Sequence, residues 1–124
     1  MTFCTVINCM DGRTQLPVNQ HLKEKFKAEY VDTITEPGPN RILAEQTDQH
    51  KLESIFQRLE ISIKKHHSVG LAIVGHHDCA GNPTTREEQE KHIRKSIDFL
   101  KGKYPKIEVL GLWVDDTWQV HEVG

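Results

Sequence analysis

The sequence has few cysteines, no long hydrophobic run and no excess of either charge, and each of these shortages excludes a class of protein. Three cysteines, an odd number, do not supply the paired framework of a small disulfide-stabilised protein. No apolar stretch approaches the ~20 residues that a helix needs to cross a bilayer. Lysines and arginines number 16 and acidic residues 18, so the charge indicates neither a nucleic-acid partner nor an anionic membrane.

The composition that remains is that of a small globular protein. A hydrophobic fraction of 36% and a charged fraction of 27% suit one core surrounded by solvated helices. We therefore expect residues 1–124 to form a single domain. The first residues lead directly into an apolar run with no signal or transit peptide before it, so a cytoplasmic location is expected.

Four runs of apolar and β-branched residues have the length and composition of β-strands. These runs cover residues 3–8, 30–35, 70–74 and 107–114. A shorter run over residues 118–123 follows the fourth. If it pairs with the fourth strand across the turn at Asp115 and Asp116, it is antiparallel to that strand.

Between the strands, apolar residues recur at helical spacing. The clearest stripe predicts a helix from about residue 48 to about residue 65, and it consists of Leu52, Ile55, Phe56, Leu59 and Ile63. Pro17 and Thr85 suit helix starts and predict helices over residues 18–28 and 85–102. Because helical crossovers connect parallel strands, we predict the α/β class. The expected architecture is a three-layer domain with a four-stranded parallel core and a short antiparallel edge strand.

Two short polar stretches carry the candidate chemistry, and each directly follows a predicted buried strand. The first runs from Cys9 to Arg13 and the second from His76 to Cys79. Since the carboxyl ends of parallel strands lie along one edge of a sheet, Cys9, His76 and Cys79 can converge there. Two thiolates and an imidazole suit zinc, and three protein ligands leave a fourth position open, as in catalytic sites. Cys4, within the first strand, is interpreted as a small buried hydrophobic residue.

The motifs Cys-x-Asp-x-Arg and His-x-x-Cys, at the ends of the first and third strands, resemble those of the β-class carbonic anhydrases. The matching residues in this sequence are Cys9, Asp11, Arg13, His76 and Cys79, with Gly75 and Gly81 beside the second motif. The resemblance implies Zn²⁺ held by Cys9, His76 and Cys79. It also implies the strand order 2-1-3-4, which makes the first and third strands neighbours.

Two roles are open to Asp11. It can be a fourth zinc ligand that closes the site, or it can turn toward Arg13, which leaves the metal open to water. A guanidinium is well shaped for the second role because its fork of donors holds a carboxylate bidentately. The resemblance implies both states, with Arg13 pairing Asp11 in the open one. Asp11 and Arg13 are therefore the candidate catalytic residues.

The resemblance implies a zinc-dependent lyase that reversibly hydrates CO₂ to bicarbonate by zinc-bound hydroxide. Two alternatives stay open: a zinc-binding carbonic anhydrase-like protein without hydratase activity, and a hydrolase of a CO₂ analogue such as COS or CS₂. The Asn-Ala-Gly turn that lines the family's substrate pocket is replaced here by residues 35–40, in which only Gly38 matches well. The resemblance also implies a homodimer or a larger homo-oligomer.

Overall fold

The computed structural model describes residues 1–124, and its five strands form one mixed sheet. β1 (Phe3–Cys9), β2 (Tyr30–Glu36), β3 (Gly70–His76) and β4 (Glu108–Val114) are parallel, and β5 (Val120–Val123) runs antiparallel to β4. The spatial order is β2-β1-β3-β4-β5. This confirms the expected order of the parallel core and the expected antiparallel edge strand.

Four α-helices cover the sheet: α1 (Gln15–Phe26), α2 (Pro39–Glu45), α3 (Gln49–Glu60) and α4 (Arg86–Lys103). A 3-10 turn over Gly12–Thr14 precedes α1, and a π-helical segment over Ile61–Lys65 follows α3. Helix α1 packs on one face of the sheet, and α2, α3 and α4 pack on the other. The protein therefore has the three layers that the sequence predicts. None of the helices combines the length and hydrophobicity that a membrane crossing requires.

Each face of the sheet packs against its own hydrophobic cluster, because successive side chains of a strand point to opposite faces. On β1, Val6 packs with Val18 and Leu22 of α1, whereas Ile7 belongs to the cluster formed with the other three helices. Cys4 is fully buried in the α1 cluster, as the sequence indicated. The central strand β3 is buried along its whole length, since helices cover both of its faces.

Helix α1 begins at Gln15, three residues before the predicted start. The side-chain amide of Gln15 donates to the carbonyl oxygens of Cys9, at 2.8 Å, and Asp11, at 3.1 Å. These bonds tie the first turn of the helix to the end of β1. Pro17 fits in this turn because the first N–H groups of a helix have no intrahelical partner.

Strand β5 begins two residues later than predicted because the preceding residues form a turn around Asp115. One carboxylate oxygen of Asp115 accepts hydrogen bonds from the backbone N–H groups of Thr117 and Gln119, both at 2.9 Å. The other accepts from Nε2 of His121 at 2.7 Å. Trp118, inside this turn, has a left-handed backbone with φ +61°. The turn lies at the same edge of the sheet as the candidate site.

Candidate metal centre

Cys9, His76 and Cys79 converge at the carboxyl edge of the parallel sheet. Cys9 is the last residue of β1 and His76 the last of β3, and these strands are neighbours. The ligand atoms of the three side chains lie within 4.8 Å of one another, and the two sulfurs are 3.9 Å apart. Two sulfurs at ~2.3 Å from a tetrahedral zinc would be about 3.8 Å apart, so the cluster has the right size for this ion.

The imidazole of His76 is oriented as a ligand. Its Nδ1 lies 2.7 Å from the carbonyl oxygen of His77 and donates to it. This hydrogen bond leaves Nε2 as the unprotonated nitrogen, with a lone pair. The ring is fully buried, and Nε2 has no hydrogen-bond partner. A buried polar atom without a partner is costly in a folded protein, and a metal ion at the cluster would satisfy this one.

The Cys9 and Cys79 thiols are close together, and a negative charge on both would be unfavourable without a cation. A hydrogen bond from the Cys79 thiol lowers the pKa of Cys9 despite burial. The neighbouring Cys9 thiolate and burial both raise the pKa of Cys79. The pair thus retains one proton between two sulfurs. A divalent cation would remove this conflict, because a coordinated thiol is deprotonated.

Asp11 and Arg13 form a bidentate ion pair beside the cluster. Arg13 Nε donates to Oδ1 of Asp11 at 3.0 Å, and Nη2 donates to Oδ2 at 2.8 Å. The backbone N–H of Arg13 also donates to Oδ1, at 2.9 Å. These hydrogen bonds lower the pKa of Asp11 to about 2 and raise the pKa of Arg13. Of the two orientations open to Asp11, the structure therefore shows the one turned toward Arg13.

Arg13 has two further neighbours, Asp78 and Trp118. Its Nη2 donates to the carbonyl oxygen of Asp78 at 3.2 Å, and the Asp78 carboxylate lies 3.4 Å away. The Arg13 guanidinium carbon lies 4.4 Å from the centre of the Trp118 ring. The Trp118 ring centre is in turn 6.4 Å from that of His76. Trp118 is therefore a neighbour of both the arginine and the candidate ligand.

Gln89 of α4 holds the backbone of His76 in place. Its side-chain oxygen accepts from the N–H of His76 at 3.2 Å, and its side-chain nitrogen donates to the His76 carbonyl oxygen at 2.8 Å. Gln89 is fully buried, and it also accepts from the amide of Asn40 at 3.2 Å. The sequence contains a signal for this role, since Gln89 lies four residues before Ile93 on the apolar stripe of α4. Only the structure shows what the amide contacts.

The loop after β2 packs against the loop that carries Cys79. Gly38 has φ +58°, and a Cβ at this position would lie 2.6 Å from the carbonyl carbon of Gly81. The close approach of the two backbones thus requires glycine. Glu36, which precedes this loop, pairs with Arg58 of α3 at 2.6 Å.

A cleft of about 900 Å³ opens beside the cluster. Asp11, Arg13 and Cys79 of the candidate site line it, and so do Arg86 and Trp113. His77 also borders the cleft and is exposed. The cleft gives a small molecule access to the Asp11–Arg13 pair.

The fold and the cluster define an α/β protein with a Cys-His-Cys group that could bind a metal at the edge of a parallel sheet. The family described as "Putative carbonic anhydrase" matches residues 1–124. The chain therefore belongs to this family. The carbonic anhydrase resemblance inferred from the two motifs is confirmed.

Two crystal structures share the fold. The carbonic anhydrase of Streptococcus mutans superimposes with a TM-score of 0.68 at 22% identity, over 97% of this chain and 81% of that one. A tetrameric β-carbonic anhydrase from the filamentous ascomycete Sordaria macrospora gives a TM-score of 0.59 at 14% identity, over 97% and 80% of the two chains. At these identities the likeness shows the fold. No curated protein matches the chain in sequence.

Proposed function

We propose that the chain is a zinc-dependent carbonic anhydrase-like lyase that reversibly hydrates CO₂ to bicarbonate. The observation that carries the proposal is the buried convergence of Cys9, His76 and Cys79 in a carbonic anhydrase family member. The orphaned Nε2 of His76 and the sulfur separation of 3.9 Å both fit a zinc ion. Zinc held there would supply Lewis acidity and lower the pKa of a water that it binds toward ~7.

Arg13 and Asp11 are proposed as the catalytic residues. Arg13 holds the Asp11 carboxylate by two parallel hydrogen bonds and so keeps it from acting as a fourth ligand. Asp11 stays anionic at neutral pH because the bonds from Arg13 keep its pKa at about 2. Its Oδ2 accepts only one hydrogen bond from the protein, so this oxygen can accept a second from water. Asp11 would thereby orient the water that attacks CO₂.

The nature of the cleft favours keeping two alternatives. It is far larger than CO₂, and only three of its 11 lining residues are hydrophobic. A wide polar cleft suits a zinc-binding protein without hydratase activity, and the same zinc hydroxide would also serve a hydrolase of a CO₂ analogue such as COS or CS₂. Each alternative uses the same three ligands and differs in what enters the cleft.

We further propose a homodimer or a larger homo-oligomer of this single domain in the cytoplasm, with no nucleic-acid partner. Strands β2 and β5 end the sheet on its two sides, and open strand edges are usually covered or paired. One structure with the same fold is tetrameric. A partner subunit lying over the polar cleft would also narrow it toward the size of CO₂.

The proposal is tested by metal analysis together with stopped-flow CO₂ hydration on zinc-loaded protein. We expect about one zinc per chain and a hydration rate well above the buffer background. Zinc without hydration, but with release of H₂S from COS or CS₂, would identify the hydrolase alternative. Zinc without turnover of any of these substrates would identify the non-catalytic one.

A further inference from the structure

The Arg13 guanidinium is enclosed by three groups from three parts of the chain. Asp11 binds it bidentately, and Asp78 contacts it through its carbonyl oxygen and its carboxylate. The indole of Trp118 covers its face at 4.4 Å, a distance typical of a cation–π contact. Asp11 and Asp78 share the Nη2 donor of Arg13. Trp118 contributes no acceptor and acts on the orientation of the whole guanidinium.

The Asp11–Arg13 pair needs such support because it is partly open to water. The Arg13 side chain is 46% exposed and that of Asp78 is 72% exposed. Exposed ion pairs are weak, since water competes for both partners and the side chains lose freedom when they pair. A planar indole over the guanidinium excludes water from one face and limits its rotation. It therefore favours the orientation in which both donor groups point at Asp11.

The turn between β4 and β5 is built to hold the indole in this place. Asp115 accepts hydrogen bonds from the turn backbone at Thr117 and Gln119 and from the ring of His121. These bonds maintain the left-handed backbone of Trp118, which is rare for a large side chain. The ring also packs on the hydrophobic cluster under α1. The indole is thus fixed independently of Arg13.

We propose that Trp118 is a positioning residue that clamps Arg13 on Asp11 and so keeps the fourth metal position open. This proposal rests on the proposed function only in assuming that a metal occupies the Cys9, His76 and Cys79 cluster. The β4–β5 turn lies outside both sequence motifs, and the proposal makes it part of the site. When the indole is lost, Arg13 exchanges between Asp11 and Asp78, and the freed Asp11 closes the metal position.

The test uses protein loaded with cobalt, whose visible spectrum reports coordination without any catalytic assay. Thiolate-to-cobalt absorption shows loading of the cysteine pair, and a titration with azide measures access to the open position. Trp118→Phe keeps an aromatic face, and Trp118→Leu keeps bulk without one. We expect azide affinity near wild type in the first and roughly two- to fivefold weaker in the second, the range expected for one exposed cation–π contact.

A double variant separates the clamp from a general effect on folding. In an Asp11→Asn background no carboxylate can close the site, so adding Trp118→Leu should weaken azide binding no further. Phe56→Leu is the matched control, because it removes a Lys103–Phe56 contact of the same 4.4 Å in another part of the protein. It should leave the azide affinity unchanged. Equal losses with and without Asp11 would overturn the clamp.

A second readout needs no metal. It uses metal-free protein labelled with ¹⁵N and follows the Nε–H signal of Arg13, which is identified by its loss in Arg13→Lys. This signal should be protected from exchange with water in wild type and Trp118→Phe. It should exchange faster in Trp118→Leu, and unchanged protection would overturn the proposal. A protein that shows these effects but does not hydrate CO₂ would keep the clamp and refute only the hydratase function. A protein that binds no cobalt at its thiolates would refute both.

Discussion

Three buried cysteines occupy two different environments in this protein. Burial, reinforced by the charge of Asp32, raises the pKa of Cys4 to about 11, so this residue stays a neutral thiol in the core. Cys9 and Cys79 instead share a proton beside a cleft, next to an imidazole with a free nitrogen. The difference arises because strand ends, unlike strand interiors, bring a side chain next to polar loop atoms. Cys4 is therefore an internal control for the ligand assignment.

We predict that Cys79→Ala loses stoichiometric zinc, because two remaining ligands bind the metal too weakly to survive dialysis. Cys4→Ala should keep about one zinc per chain, since its sulfur lies in the core under α1. The test is the zinc content of both variants after dialysis without chelator, with circular dichroism to verify that they are folded. Stoichiometric zinc in folded Cys79→Ala would refute the assignment.

Replacing Arg13 and replacing Asp11 should affect the metal site and the hydratase activity in different ways. Arg13→Ala frees Asp11 to bind the metal, so the protein should keep zinc and lose hydratase activity. Asp11→Asn cannot close the site but accepts a hydrogen bond from water less well. We expect its activity to fall on the order of 10- to 100-fold, as for other partners that orient a metal site.

Measurements of zinc content and CO₂ hydration at pH 7 and pH 8.5 test these two variants. Asp11, with a pKa of about 2, is ionised at both values, so its own titration does not contribute to any difference between them. Recovery of Arg13→Ala at the higher pH would indicate hydroxide displacing the carboxylate from the metal. Wild-type activity in Arg13→Ala at pH 7 would show that Arg13 does not keep Asp11 off the metal.

At the scale of the elements, the sequence predicted what depends on local patterns. Hydrophobic runs and the 3.6-residue stripe placed the strands and helices to within a few residues, and the two motifs placed the candidate ligands at strand ends. The strand order needed the family resemblance, since periodicity within a strand does not specify its neighbour. Gln89 and Trp118 were missed because their contacts join residues distant in sequence. Gln89 meets His76 from 13 positions away, and Trp118 meets Arg13 from 105 positions away.

Gln89 is expected to fix the end of β3 as an element of the site. Gln89→Leu leaves the N–H and carbonyl of His76 without their side-chain partner, at a cost of about 1–3 kcal/mol for each buried group that stays unsatisfied. Gln57→Leu is the control, because Gln57 is a helical glutamine on the surface. We expect lower unfolding free energy and weaker zinc affinity in Gln89→Leu alone, measured by urea unfolding and chelator competition. Equal values in the two variants would contradict the role.

At the scale of the whole molecule, the two open edges of the sheet predict self-association. Tyr30, at the start of edge strand β2, is 48% exposed, and a subunit that pairs with this edge would cover it. Multi-angle light scattering over a micromolar dilution series should give at least twice the 14.3 kDa chain mass. A constant monomer mass across the series would refute the proposed assembly and leave the cleft open to solvent.

The last prediction joins the metal to the stability of the whole fold. The cluster links the ends of β1 and β3, so a metal that binds only when these strands are paired stabilises the entire sheet. Zinc at a thousandfold excess over its dissociation constant adds about 4 kcal/mol to the free energy of unfolding, or roughly 10–20 °C to the melting temperature of a domain of this size.

Zinc affinity should rise with pH, because binding requires both thiols and the imidazole of His76 to be deprotonated. The shift in melting temperature should therefore be larger at pH 8 than at pH 6. The shift is measured by thermal unfolding of metal-free and zinc-loaded protein at both pH values. Two controls should show no shift: wild type with Mg²⁺, a hard cation unsuited to thiolates, and Cys79→Ala with zinc. A zinc shift that persists in Cys79→Ala would mean that the ion binds elsewhere, and the metal centre would have to be reassigned.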